Sequence, residues 1–141
     1  MFNNSYDERL VLWRDFRTYL ETAENPLEDT VKFYSQAPEV SLTTDPYDPD
    51  IWPKPWEILK ENNYCECVKI LAICYTLQLC DRFIGAKFEI NIVHDNEQSR
   101  THFLLFVDNQ CIGNDYDKVI SATELPLGLE FVMRHEMPQI H

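Results

Sequence analysis

The chain has 141 residues, of which 45% are hydrophobic and 13% aromatic, a composition typical of one globular domain and not of a disordered chain. Its net charge of −12 disfavours direct binding to nucleic acid, because neutralising phosphates requires a basic surface. No apolar run approaches the roughly 20 residues of a membrane span, and the N-terminus has no signal-peptide pattern, so we expect neither a membrane protein nor a secreted one.

Residues 1–37 are predicted to form a helical region with two helices. Ser5 or Asp7 caps the first helix, whose apolar residues recur at helical spacing. The second helix begins at Asn25-Pro26, because asparagine is a good cap and proline suits the first helical position. It ends before Pro38.

Residues 38–60 form a segment rich in proline and tryptophan, which we call the strap. Proline restricts the backbone, and the aromatic side chains give the segment apolar surface to bury. We expect an irregular but ordered segment with a short helical turn over Trp56–Lys60. Trp52 and Trp56 are the candidate binding residues, since either could form a wall of a cleft.

Residues 61–141 are predicted to form a central helix followed by an antiparallel sheet. The helix runs from about Tyr64 to Asp81, with Asn63 as its cap and Glu66 completing a capping box. Its interior is almost entirely apolar, so other elements must cover it on most sides.

Alternating and apolar segments after the central helix predict β-strands. They span Lys87–His94, Thr101–Val107 and Cys111–Asp115; Val119–Ile120 either continues the third strand or begins another, and Leu125–Met137 alternates like a strand although it contains proline and glycine. Helices first and a β-meander afterwards predict an α+β fold in a single domain, 1–141.

The predicted hairpin between the second and third strands brings two polar residues together. If Asp108-Asn109 is a two-residue turn, Val107 pairs with Gln110, and the same register places His102 opposite Asp115. Such a carboxylate can orient an imidazole and stabilise its protonated form. A loop longer by one residue would instead place Asn114 or Tyr116 opposite the histidine.

Cys65 is the candidate nucleophile, because the positive end of a helix dipole lowers the pKa of a thiol and raises its reactivity. Cys67 is the competing candidate, since its helical phase points it towards the core. The other cysteines fit small core residues. A zinc site of Cys65 and Cys67 with His94 or His102 is a weaker alternative without the paired spacing of zinc sites, and we expect no metal and no cofactor.

The order of these residues resembles the transglutaminase-like superfamily, which is related to papain-like proteases. The resemblance covers residues 63–120 and is carried by Cys65 in Tyr-Cys-Glu-Cys, His102 in Thr-His-Phe-Leu-Leu and Asp115 in Gly-Asn-Asp. It implies a transglutaminase-like fold and acyl transfer or amide hydrolysis through a Cys65–His102–Asp115 triad. The chain departs from the family pattern on both sides of the cysteine, where the preceding glycine and the following small residues are replaced.

The strap sequence Asp-Pro-Tyr-Asp-Pro-Asp-Ile-Trp-Pro-Lys-Pro-Trp-Glu is also similar to small uncharacterised proteins of contractile-tailed phages that infect marine cyanobacteria. This resemblance implies a place in the cytoplasm of an infected bacterial host or in a virion. We therefore expect a protein substrate or a protein partner. The alternative to an enzyme is a non-catalytic structural, assembly or host-interaction protein, including an acidic inhibitor of a host DNA-binding protein.

Overall fold

The computed structural model describes residues 1–113 and 118–140, in which four α-helices precede five β-strands. The helices are α1 (Tyr6–Leu20), α2 (Pro26–Tyr34), α3 (Pro55–Glu61) and α4 (Glu66–Gln78). The strands are β1 (Phe88–Asp95), β2 (Arg100–Val107), β3 (Gln110–Ile112), β4 (Val119–Ser121) and β5 (Leu129–Glu136). This arrangement confirms the predicted α+β fold class.

The first two helices begin where the sequence signals place them. The Ser5 hydroxyl accepts a hydrogen bond from the Glu8 backbone N–H, and the Glu8 carboxylate accepts one from the Ser5 backbone N–H. These reciprocal bonds form a capping box at the start of α1. α2 begins at Pro26 as predicted, although the Asn25 side chain makes no capping hydrogen bond.

The central helix starts later than predicted. Tyr64 is held in an extended conformation, because its N–H donates to the Pro38 carbonyl at 3.1 Å and its own carbonyl accepts from the Val40 N–H at 3.4 Å. Helical dihedrals therefore begin only after Cys65, which is the N-cap residue of α4. The predicted cap Asn63 lies before this bridge and outside the helix, so that prediction was wrong.

The five strands form one antiparallel sheet in the order β4-β3-β2-β1-β5. Strands β1 to β4 follow the predicted meander. The chain then returns to the opposite edge, where β5 pairs with β1 across an irregularity between Ile92 and Val93. The ambiguous segment 125–137 is thus resolved as an edge strand from Leu129 to Glu136.

The hairpin between β2 and β3 has the predicted register. Val107 pairs with Gln110 and Leu105 with Ile112 across the turn at residues 108–109. Asp108 adopts a positive φ of 52°, which its short polar side chain tolerates, and its carboxylate accepts a hydrogen bond from the Lys87 N–H at 3.0 Å.

The two faces of the sheet are covered differently. Phe103 and Leu105 of β2 belong to the main hydrophobic core together with the buried residues of α4. Leu104 belongs to a second cluster with Val93 and Cys111. Because side chains alternate along a strand, odd-numbered residues of β2 face α4 and even-numbered residues face the other side.

Candidate functional site

Cys65 lies at the amino end of α4 beneath the strap. Its side chain is only 1% exposed, and the Thr43 hydroxyl donates to its Sγ atom over 3.6 Å. The first hydrogen bond within the helix runs from the Lys69 N–H to the Cys65 carbonyl at 2.9 Å. The amides of residues 66–68 therefore have no acceptor inside the helix, and they carry the positive end of its dipole. The free amides and the helix dipole favour a negative charge at this position, but the strap covers the Cys65 side chain.

Cys67 has the environment of a core residue. It is 1% exposed, and burial raises the pKa of its thiol to about 12, with smaller contributions from Cys65 and Glu66. Burial also raises the pKa of Cys80 to about 11 and of Cys111 to about 12. Thiols with such pKa values carry almost no thiolate near neutral pH, so burial argues against Cys67 as the nucleophile.

His102 lies near the start of β2, at the same end of the fold as Cys65. It pairs with Val93 of β1, and its side chain is 6% exposed. The alternation along β2 assigns it to the face of Leu104, opposite α4. Its Nε2 atom lies 4.0 Å from Oδ2 of Asp95. Cys65 and His102 therefore share an end of the molecule but occupy different sides of the sheet.

Asp115, the predicted third member of the triad, lies outside the described residues 1–113 and 118–140. The register that predicts its pairing with His102 holds as far as Leu105↔Ile112. The pairing of His102 with Asp115 itself stays a prediction.

Sequence reasoning missed the position of His94. Its partner across the β1–β2 hairpin is Thr101, and it follows Ile90 and Ile92 on the face that packs against α4. The signal was present in the sequence, because the alternation that placed Ile90 and Ile92 towards the core also places His94 on that face. His94 is consequently a second candidate for an imidazole near the helix end.

A cleft of about 460 Å³ opens beside the first turn of α4. Burial raises the pKa of Glu66 in this cleft, and the positive charge of Arg100 opposes that shift. On its rim the Lys69 ammonium donates to the Glu39 carboxylate at 2.8 Å. The remaining lining is formed by Ser35, Val40, Tyr64, Ile70, Ile73, Phe103, Ile112 and Gly113. The cleft thus has an apolar floor and charges of both signs.

Trp52 and Trp56 line a different groove, of about 820 Å³, beside the C-terminal half of α4. Trp52 is buried and makes an edge-to-face contact with His135, whereas Trp56 is 55% exposed beneath the Lys54 ammonium. Neither tryptophan is among the described residues that line the cleft at Glu66. The two predicted binding residues therefore share a groove, but they do not form a wall of that cleft.

Comparison with solved structures identifies the fold. Calcium-bound LapG of Legionella pneumophila superposes with a TM-score of 0.63 at 15% identity, covering 93% of this chain and 76% of LapG. A second LapG structure gives a TM-score of 0.57 at 16% identity, covering 90% and 72% of the two chains. The fold is transglutaminase-like. No family model and no curated protein sequence matches the chain.

None of the helices within 1–113 and 118–140 combines the length and the apolar character needed to cross a membrane. The same residues contain no group of three or more His, Cys, Asp or Glu side chains arranged to hold a metal ion.

Proposed function

We propose that this chain is a transglutaminase-like cysteine protease or acyltransferase domain that acts on a protein substrate. The observation that carries the proposal is the position of Cys65 as the N-cap residue of the central helix in a transglutaminase-like fold. Two further observations support it. His102 lies at the same end of the fold, and Cys65 is the cysteine next to the free amides at the start of α4.

In the proposed reaction, Cys65 Sγ attacks the carbonyl carbon of an amide, and its proton passes to an imidazole. That imidazole is His102 in the predicted triad, and His94 is the other candidate, because it lies on the face of the sheet that packs against α4. The oxyanion that forms would be stabilised by the free amides at the start of α4. The carbon–nitrogen bond then breaks, and the imidazole returns the proton to the leaving amine. Water or an acceptor amine attacks the thioester and regenerates the thiol. In this scheme Asp115 orients the imidazole.

Calcium is bound in one of the LapG structures. Calcium takes six to eight oxygen ligands, most often from carboxylates and carbonyls. The described residues offer no group of three potential side-chain ligands. The part of the chain that the structure describes therefore does not fit a calcium site, and the proposed reaction uses no metal.

The test is the pH dependence of alkylation at each cysteine, measured by mass spectrometry in the wild type and in His102→Ala. We expect Cys65 to react faster than the other cysteines. We expect His102→Ala to slow that reaction about tenfold or more, because the thiolate loses its stabilising imidazolium. Cys67 in the same protein serves as an internal control, since its thiol is buried equally.

His94→Ala is the matched control variant for this test. If His94→Ala slows the alkylation of Cys65 and His102→Ala does not, His94 is the partner of the thiol and the role of His102 is wrong. If Cys65 reacts no faster than Cys67 in any variant, the catalytic proposal fails.

A second candidate function, a non-catalytic domain of the same fold, is favoured by the burial of Cys65 and by the position of His102 on the far face of the sheet. We propose for this case a structural, assembly or host-interaction protein of a tailed phage, acting in the infected cell or in the virion. Its surface would be acidic, since the net charge is −12. It would act through a protein partner, for example by occupying a basic DNA-binding protein of the host.

Binding assays at increasing salt test this second function. An acidic inhibitor of a DNA-binding protein should lose affinity steeply as salt screens the opposite charges. Its binding should also compete with DNA. If the affinity for the basic partner changes neither with salt nor with added DNA, this role is contradicted.

A further inference from the structure

A short part of the strap, residues 39–44, covers the amino end of α4, and we call it the lid. Five of its six residues are exposed to solvent, and Thr44 is partly buried. The Thr43 hydroxyl donates to the Cys65 Sγ atom over 3.6 Å. Because Cys65 is only 1% exposed, a substrate cannot reach the thiol while the lid is closed.

The contacts that hold the lid closed are few and weak. The Lys69 ammonium donates to the Glu39 carboxylate at 2.8 Å, but the Glu39 side chain is 77% exposed, so water weakens this ion pair. The Val40 N–H donates to the Tyr64 carbonyl over 3.4 Å. Within the part of the chain that the structure describes, the backbone groups of residues 41–44 make no hydrogen bond to other protein groups.

Both ends of the lid are anchored to the rest of the protein. Directly before it, the Pro38 carbonyl accepts a hydrogen bond from the Tyr64 N–H at 3.1 Å. Directly after it, the Asp45 carboxylate accepts one from the Tyr47 N–H at 2.9 Å, and Pro46 is buried. The lid can therefore move between two fixed points without displacing a helix or a strand.

The lid lies between two open spaces. Glu39 and Val40 border the cleft at Glu66. Thr43 and Thr44 border a hollow of about 320 Å³, whose other lining residues are Ile51, Pro53, Glu57, Ile58, Glu61, Asn63 and Val68. Lifting the lid joins the cleft and the hollow into one groove that passes Cys65, which is the shape that an extended peptide requires.

We propose that the lid is an autoinhibitory device, which closes over Cys65 in the free protein and opens to admit an extended segment of the substrate. The helices and the sheet stay folded during this opening. Local opening is favoured where a segment has few buried apolar contacts and an exposed backbone, and Val40 and Leu42 of the lid are both exposed. The role in catalysis rests on the proposed function, whereas the opening itself does not.

The experiment is alkylation of each cysteine by iodoacetamide at a series of urea concentrations below the unfolding transition. When the lid recloses faster than the thiol reacts, the rate reports the population of the open state, and its urea dependence reports the surface that opening exposes. We expect the Cys65 rate to change little with urea. The Cys74 rate should rise steeply, because Cys74 is 0% exposed in the middle of α4 and requires global unfolding. Equally steep dependences for the two cysteines would overturn the inference.

Two variants loosen the lid by removing the same ion pair from opposite sides. Glu39→Gln and Lys69→Met should each raise the Cys65 rate about two- to fivefold. The two substitutions change the charge near the thiol in opposite directions, so an effect of charge alone would raise one rate and lower the other. Opposite changes, or no change in either variant, would overturn the inference.

Asp15→Asn is the matched control, because it removes an exposed ion pair between Arg14 and Asp15, 3.6 Å apart on α1. It should leave the Cys65 rate unchanged. A rise equal to that in Glu39→Gln would show that the effect is not specific to the lid, and would overturn the inference.

The histidine variants separate this inference from the proposed function. If Cys65 reacts with a shallow urea dependence but neither His102→Ala nor His94→Ala slows it, the lid is supported and the proposed function fails. If a histidine variant slows the reaction while Glu39→Gln and Lys69→Met leave it unchanged, the proposed function is supported and the lid is overturned.

Discussion

The Thr76 hydroxyl connects three elements of the main core. It accepts hydrogen bonds from the Trp13 indole N–H and the Tyr34 hydroxyl, both at 2.9 Å, and donates to the Ala72 carbonyl at 2.7 Å. One hydroxyl thus uses its single proton and both of its lone pairs. Trp13 and Tyr34 are buried, so neither has ready access to water as a replacement partner.

Thr76→Val should destabilise the fold by about 2–3 kcal/mol, because two buried donors would lose their acceptor while the side-chain volume stays nearly constant. Equilibrium denaturation measures this change. Thr18→Val is the matched control, since the Thr18 hydroxyl donates to the Arg14 carbonyl on the exposed side of α1. It should change stability by less than about 0.5 kcal/mol. Equal losses in the two variants would contradict the buried role of Thr76.

At the scale of elements, the close approach of chain segments at the end of β3 depends on a glycine. Gly113 has a positive φ of 110°, and a Cβ atom there would lie 2.3 Å from the Phe103 carbonyl oxygen and 3.3 Å from Ile70 Cδ1. The backbone of β2 cannot move away cheaply, because Phe103 belongs to the core beneath α4. The absence of a side chain at Gly113 therefore allows this contact between β2, the end of β3 and α4.

Gly113→Ala should destabilise the protein by about 3 kcal/mol or more, since it combines left-handed strain with an overlap against the backbone. Gly85→Ala is the control. Gly85 also has a positive φ, of 87°, but a Cβ atom there would meet open space. That variant should lose only about 1 kcal/mol. Denaturation curves that give the same loss for both variants would show that steric overlap at Gly113 does not matter.

At the scale of the whole molecule, many weak acids are buried in their neutral form. Burial raises the pKa of Cys67 and Cys111 to about 12, and also that of Tyr64 and Tyr75. In the unfolded chain the pKa of a cysteine thiol is about 8.5 and that of a tyrosine is about 10. As the pH rises, the unfolded chain therefore loses these protons at a lower pH than the folded protein does. The contribution of these groups to the free energy of unfolding is fully present below the unfolded-state pKa values and is lost as the pH approaches 12.

The protein should accordingly lose stability steeply between about pH 8.5 and pH 12, by at most about 1.4 kcal/mol per pH unit for each such group. Denaturation at a series of pH values measures the slope. Cys111→Ala should give a shallower slope than the wild type, because one of the contributing thiols is removed. A slope that is identical in the two proteins would contradict the contribution of Cys111.

Local patterns determined much of the fold. The cap at Ser5, which was one of two candidates, the two-residue turn after Val107 and the alternation in β1 each depend on neighbouring residues, and the structure agrees with all three. A resemblance carried by a few residues also predicted the transglutaminase-like fold. These features could be predicted because short-range sterics and hydrogen bonding specify them.

The tertiary structure decided what depends on distant partners. Cys65 rather than Asn63 caps α4, because Pro38 and Val40 hold Tyr64 extended from more than twenty residues away in the chain. Trp52 and Trp56 face a groove completed by the C-terminal segment, and Asp95 faces His102 across a hairpin. The sequence by itself determined most of the elements, their order along the chain and the alternation of faces along the strands. Packing between elements decided which side chains meet, because that depends on contacts that no local pattern encodes.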